Sequence, residues 1–340
     1  MNDDKIIEYA KRKNTEKIKE LLEQNADPNS SDEMGALLFH ATNQNQFFIF
    51  QCNSIEEHKK QEKETFELVE LLLKYKADAN QIDDRKSSSL DNACKNIMPS
   101  VVKLLLNHIH DVNRKSSRGD TPLITAVYRT TEIEDIMSYD QDLEEEGELY
   151  KVFRDYHNNN CKEIIQLLCS NGAHINEPNN YGMTPLFYTI THKSHLDLLK
   201  LLLELGADAN QIDSEGSRPL HYVLYKEQIE LLVKYGANIN ATNKVGDTIL
   251  HKKVIKPTKL VDFLIESKAN VYAKNNIGKT ALDMAQAVYN MTTRLAENNY
   301  TRDYGNNINT KNIQIYKEYV ESLLSAMTTK PNSYNINAEV

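Results

Sequence analysis

Two clusters in this 340-residue chain have side chains that could do chemistry. His157, Cys161 and Cys169 lie close together, and such ligands on one helical face can bind zinc. Cys161 and Cys169 are eight positions apart, however, and no fourth ligand stands near them. No CxxC pair exists among these and Cys52 and Cys94, so buried or half-exposed thiols in a reducing compartment are expected. The run EEEGE at 144–148 has the charge of a cation site. It lacks the ordered ligand spacing and fixed glycine of a calcium loop, so a solvated face is expected. The chain contains no P-loop, GxGxxG, GxSxG or HExxH sequence. Catalysis, metal and cofactor are therefore not expected.

The elements that would position these residues are set by a repeat. The phrase LLLKYKADANQID at 71–83 returns as LLLELGADANQID at 201–213. Asn29, Asn80, Asn113, Asn176, Asn210 and Asn240 close segments of the same type, and Tyr272 takes that slot in FLIESKANVY. The intervals are 51, 33, 63, 34, 30 and 32. A second ruler runs ten residues behind, at Leu90, Leu123, Leu186, Leu220, Leu250 and Leu282, and nine behind at Leu38.

The glycine, the TPL tripeptide, the paired leucines and the final asparagine recur in one order at a period near 33. On those motifs the chain resembles the ankyrin-repeat family over about residues 4 to 327. Each position also has its own reason. In YGMTPL, Gly182 permits a turn with positive φ, Thr184 can cap the next helix, and Pro185 suits its first turn. In LDLLKLLLELGADAN, Leu196, Leu199, Leu202 and Leu203 share a face, and Gly206 ends the helix, as do Gly172 and Gly236. The resemblance implies an all-α solenoid of eight helix-turn-helix repeats, at 4–29, 31–80, 82–113, 115–176, 178–210, 212–240, 242–272 and 274–327. The first and last are caps, and 328–340 is expected to be a disordered tail. It also implies structural roles for His195, His221 and His251, the latter two bonding neighbouring loops.

Repeats two, four and eight carry extra residues between their helices, and repeat six is about three short there. In the first insertion, Ser54 and Glu57 have capping-box spacing, predicting a helix of about 20 residues with Glu56 paired to Lys60. Phe47, Phe48 and Phe50 precede it, as core rings or as an anchor for a partner. The second insertion holds ten acidic and two basic residues between Thr131 and Asp155, net -8, against net -1 for the rest. Leu149, Val152, Phe153 and Tyr156 at helical spacing predict that it is partly helical, with Asn160 and Glu163 capping the resumed repeat helix. The third, about 290–311, is polar, asparagine-rich and expected to be a loop.

Net charge is -9 with pI near 5.6, which speaks against a nucleic-acid footprint, and no run of 18 apolar residues suggests a membrane span. The N-terminal stretch MNDDKIIEYAKRKNTEK lacks the apolar segment of a secretory signal. The expectation is a monomeric, cytoplasmic, non-catalytic scaffold for protein partners. The alternative is a regulatory or anchoring subunit of an enzyme. Composition also resembles the irregular arrays of intracellular bacteria and large DNA viruses, which implies a host protein as partner and delivery into a host cytosol. From the resemblance, the partner-facing positions are Arg118, Asp120, Thr125, Tyr181, Met183, Tyr188, Ser217, Tyr222, Asp247 and Lys252. The acidic insertion adds a second candidate: Glu132, Glu134, Asp135, Asp140, Asp142, Glu144, Glu145, Glu146 and Glu148.

Overall fold

A computed structural model describes residues 2–43, 54–138, 147–190, 195–256, 260–297 and 310–329. Within them the chain is helical, in antiparallel pairs, an all-α repeat solenoid. The described strands are only β1 (Ser31–Asp32) and β2 (Gly35–Ala36), paired antiparallel across one turn. The fold separates into two compact units, residues 1–207 and 208–340.

The first unit contains α1 (Asn2–Lys11), α2 (Thr15–Glu23), α3 (Leu37–Thr42), α4 (Ile55–Lys74) and α5 (Ser89–Lys95). It continues with α6 (Pro99–Leu106), α7 (Pro122–Ser138), α8 (Gly147–Ser170), α9 (Pro185–Tyr188) and α10 (Leu196–Glu204). Odd-numbered helices stack on one another in one layer and even-numbered helices in a second. The second unit has the same two-layer form. Its odd-numbered helices are α11 (Pro219–Tyr222), α13 (Ile249–Lys253) and α15 (Ala281–Glu297). Its even-numbered helices are α12 (Lys226–Lys234), α14 (Val261–Glu266) and α16 (Thr310–Thr329).

The leucine stripes explain the stacking. Along α10, Leu198, Leu199, Leu202 and Leu203 are buried, so the inward face is one step round from that expected, with Leu196 only half-buried. Each even-numbered helix from α4 to α14, α6 apart, is followed by a residue with positive φ. Gly172, Gly206 and Gly236 supply it in three cases, and Lys76 and Lys268 take the same slot without glycine. Pro185 opens α9 as expected, but Thr184 holds the cap position without a side-chain capping bond.

Asparagines hold successive repeats together. Asn80 accepts from His110 N–H (2.8 Å) and donates to His108 O (3.0 Å). Asn113 does the same to His174 N (2.7 Å) and Gly172 O (2.9 Å), and Asn210 to Asn238 N (2.9 Å) and Gly236 O (2.8 Å). The asparagine ruler is thus a row of inter-repeat staples, each satisfying backbone groups left open at a helix end.

The insertions lengthen helices. α4 spans 20 residues from Ser54, whose hydroxyl accepts from Glu57 N–H, as the spacing predicts. Glu56 pairs with Lys59 (3.0 Å), one position short of the expected Lys60, because i and i+3 also share a helix face. α8 runs unbroken for 24 residues through Asn160 and Glu163. No cap forms there, since the insertion before it is already helical and supplies the carbonyls. The overhanging starts of α4 and α8 meet over the eight-residue α6. His58 lies 5.0 Å from the His157 ring and 5.5 Å from that of Tyr156, and its Nε2 is 3.3 Å from Asn96 O. Glu62 accepts from Ser100 N–H (2.8 Å) and its hydroxyl (2.7 Å), capping α6 from a neighbouring helix because Met98 at the cap position offers no cap bond.

In repeat eight, 290–297 continues α15 as helix instead of starting a loop, and α16 runs to Thr329. The insertion aromatics Phe47, Phe48 and Phe50, residues 298–309 and 330–340 lie outside the described residues. Clipped repeat six is held by two buried polar side chains. Gln228 Oε1 accepts from Leu224 and Tyr225 N–H, and the Lys253 ammonium donates to Val223 O where α11 ends.

Candidate interaction surface

Between helix pairs the chain forms turns shaped mostly by a single carboxylate or amide, with the Ser116 hydroxyl in that place before Asp120. Asp83 accepts from Arg85 and Ser87 N–H, Asn179 from Tyr181 and Met183, Asp213 from Glu215 and Ser217, and Asn243 from Val245 and Asp247. Such local bonds stabilise turns over helix or strand. The residue before the positive-φ position is pushed outward at each tip. Met34 is 60% exposed and Tyr181 58% in the first unit, with Val245 56% and Ile277 79% in the second. Large apolar side chains left in water are the informative feature of this surface.

Behind the fingers of the first unit lies a cleft of about 620 Å³. Its outer wall includes Met34, Arg85 and Arg118, and its inner wall includes Lys95, Thr125 and Tyr128. Arg118 pairs with Asp120 (3.0 Å) and sits 5.7 Å over the Tyr128 ring. Asn179 donates to Asp120 (2.8 Å) and to the Tyr188 hydroxyl (2.9 Å), and Tyr188 packs edge-on to Tyr128 at 5.3 Å. Arg129 binds Glu132 at 2.5 Å. Burial raises the phenol pKa of Tyr128 and Tyr188, so both rings stay neutral donors at pH 7.

The expected partner-facing residues therefore divide. Arg118 and Tyr181 are exposed, Thr125, Met183, Tyr188 and Lys252 are half-buried, and Asp120, Ser217 and Asp247 are buried. Arg118, Asp120 and Thr125 share the cleft wall, and Tyr188 joins them through Asn179 and Tyr128. Asp247 accepts from Asn275 (2.9 Å), bracing the next finger. Tyr222, in the second unit, gives its hydroxyl to Asp213. Burial first, then that bond, push its pKa up to about 12. Of the acidic insertion, Glu132 is placed with its side chain, while Glu134, Asp135 and Glu148 are placed on α7 and α8 by backbone. Asp140, Asp142, Glu144, Glu145 and Glu146 lie outside the described residues.

The sequence reading passed over Lys95, Tyr128 and Arg129. The signal was available: Lys95 and Tyr128 each stand five positions after the ruler leucines Leu90 and Leu123, on the helix face of Asn92 and Thr125.

The histidines are bound into the scaffold. His221 Nδ1 accepts from Arg218 N–H (2.9 Å), leaving Nε2–H to Ala241 O (3.1 Å) and Asp247 O (3.2 Å). His251 repeats this with Thr248 N–H (3.2 Å) and Lys279 O (3.0 Å). His195 is fully buried at the start of α10. Cys161 is buried against Ala126 O and Cys169 is half-exposed, and burial raises the Cys169 thiol pKa away from nucleophilic thiolate. Among the described residues, no group of three or more His, Cys, Asp or Glu is placed to hold a metal, and no helix is long and apolar enough to cross a membrane.

A family model described as ankyrin repeats (3 copies) matches residues 59–143 and 156–243, just over half of the chain. No curated protein matches it.

Proposed function

Because the chain belongs to the ankyrin-repeat family, whose repeats are generally protein–protein interaction modules, we propose that it is a non-catalytic scaffold. Its partner surface would be the finger tips and the odd-numbered helices behind them. The observation that carries this reading is Tyr181, a large ring on a rigid, hydrogen-bonded turn that stands 58% exposed beside the Arg118–Tyr188 network. Exposed aromatic residues and arginine are what interface centres are enriched in. The acidic segment 131–155 is a second contact, for a basic partner surface, since net -8 in one stretch repels itself without a compensating partner. The eight-repeat division puts repeats one to five in the first unit, apart from residues 208–210, and six to eight in the second.

The test is affinity capture with the full chain and with Tyr181→Ala. Tyr181 is 58% exposed, so the variant should melt with the wild type and lose partner affinity by tenfold or more, about 1.4 kcal/mol. A partner captured equally by both would remove the finger tips from the interface. Failure of the wild type to retain any protein would remove the scaffold reading itself.

A further inference from the structure

Charge in this chain is gathered at two opposite poles. From Glu134 to Glu148 the sequence has eight carboxylates and no lysine or arginine, with Ile136, Met137, Tyr139 and Leu143 among them. The other pole lies in the second unit, on its fingers and odd-numbered helices between 243 and 283 and in the turn after α13. Six described lysines stand there, Lys244, Lys252, Lys253, Lys256, Lys274 and Lys279, against two carboxylates, Asp247 and Asp283. The preceding finger, with Asp213, Glu215 and Arg218, lowers that surplus by one.

Among the described residues of the second unit the ion pairs are Lys226–Glu230 and Lys317–Glu321, both on even-numbered helices, so none of the six lysines has a carboxylate in contact. Lys253 is buried against Val223 O and Lys244 donates to Ser214 O, a neutral acceptor in each case. Lys256, Lys274 and Lys279 are exposed. The two opposing carboxylates keep their charge but are engaged in the fold: Asp247 is buried and accepts from Asn275, and Asp283 accepts from Thr280 N–H and its hydroxyl. Asn276 gives its N–H to Val245 O (3.0 Å) and its side-chain amide to Lys244 O (2.8 Å), fastening two fingers side by side. Together these fingers present Lys244, Lys274 and Lys279 with Val245 and Ile277, two large apolar side chains left in water.

We propose that this finger surface receives the acidic insertion of a second copy of the chain, its carboxylates on the lysines and its apolar residues on Val245 and Ile277. The proposal rests on the reading of 131–155 as a contact for a basic surface, and it names that surface. Opposite charge at this density steers two molecules together and fixes which patches meet. Along the chain, repeats five and six come between the two poles, and in an array each repeat contacts only its neighbours, so a second copy is what brings them together. Every copy carries one patch of each kind, and two equivalent contacts about a twofold axis close a pair in place of the expected monomer.

Sedimentation equilibrium of the full chain at 0.1 M and 1 M salt, where the screening length falls from about 10 Å to about 3 Å, reads the association directly. The mass should rise above 39.0 kDa with concentration at the lower salt and stay near it at the higher. Two variants locate the contact. One carries Glu144→Gln, Glu145→Gln and Glu146→Gln, and the other Lys274→Gln and Lys279→Gln. Each alone should self-associate about tenfold more weakly or worse, with circular dichroism melts matching the wild type. Mixed together they should associate again, because the intact insertion of one then meets the intact lysines of the other. A monomer at both salts, association that either variant leaves unchanged, or variants that stay apart when mixed would each overturn the proposal. A foreign partner lost when 131–155 is exchanged, or lost with Tyr181→Ala, would in that event leave the earlier reading standing.

Discussion

At the scale of single residues, glycines of one type serve two different purposes. Gly119 has φ +79°, and a Cβ there would stand 2.6 Å from the backbone nitrogen of Asn180 in the next finger. Gly206 has φ +95° with nothing within 4 Å of that position, and Lys76 and Lys268 show that the slot admits a side chain. Gly206→Ala should therefore cost only the left-handed backbone term, about 1 to 2 kcal/mol. Gly119→Ala adds a collision between two backbones and should cost at least about twice that. Chemical denaturation of the two variants decides it, and equal losses would mean that the fingers pack less closely than described. Both glycines were visible in the sequence, but their difference was not, because it depends on what the next finger brings alongside.

At the scale of elements, helix packing carries the stability. Leu202 is fully buried in α10, and Leu202→Ala should cost about 2 to 5 kcal/mol in urea unfolding. A loss below about 1 kcal/mol would place the helix in another phase. The clasp between α4 and α8 should also respond to pH. Burial lowers the pKa of His58 below its usual 6.5, countered in part by the Asn96 carbonyl. Between 6.5 and the lowered folded value, the unfolded chain binds the proton that the folded chain refuses. Stability from this group is therefore complete above about pH 6.5 and falls as pH drops through that window. Asp91 runs the other way, its pKa raised by burial to about 6, so its effect lies at lower pH, between the unfolded value 3.8 and about 6. Melting temperature should fall from pH 7.5 to 6, and His58→Gln should flatten that slope whatever its own effect at pH 7.5. An unchanged slope would assign the drop to other groups.

At the scale of the whole molecule, nearly all net charge resides in one insertion, and repeat arrays tolerate local replacement because each repeat contacts only its neighbours. Exchanging residues 131–155 for a short glycine-serine turn should leave the remaining helix pairs folded by circular dichroism. It should also reduce both partner affinity and its salt dependence, since the screening length falls from about 10 Å at 0.1 M salt to about 3 Å at 1 M. The same affinity and the same salt slope in the shortened protein would make the insertion a solvated face. His58, which α4 presents to α8, lies outside the exchanged segment; Tyr156 and His157 also lie outside it, so part of the clasp is retained.

The periodic part of this protein was determined by its sequence. Leucine spacing sets which face of each helix is buried, glycine supplies the positive φ at six finger tips and three helix ends, and asparagine at the closing position binds the following loop. Each of these contacts is made within a repeat or to the next one, so a single period describes them all. What the tertiary structure decided is aperiodic. His58 meets Tyr156 from 98 positions away because two insertions of unrelated sequence both extend helices past the short α6. Lys95 on α5 is acted on by Arg129 and Glu132 of α7, so its state depends on partners in another repeat. Spacing along the chain cannot express which groups compete for one charge; only their distances in space do.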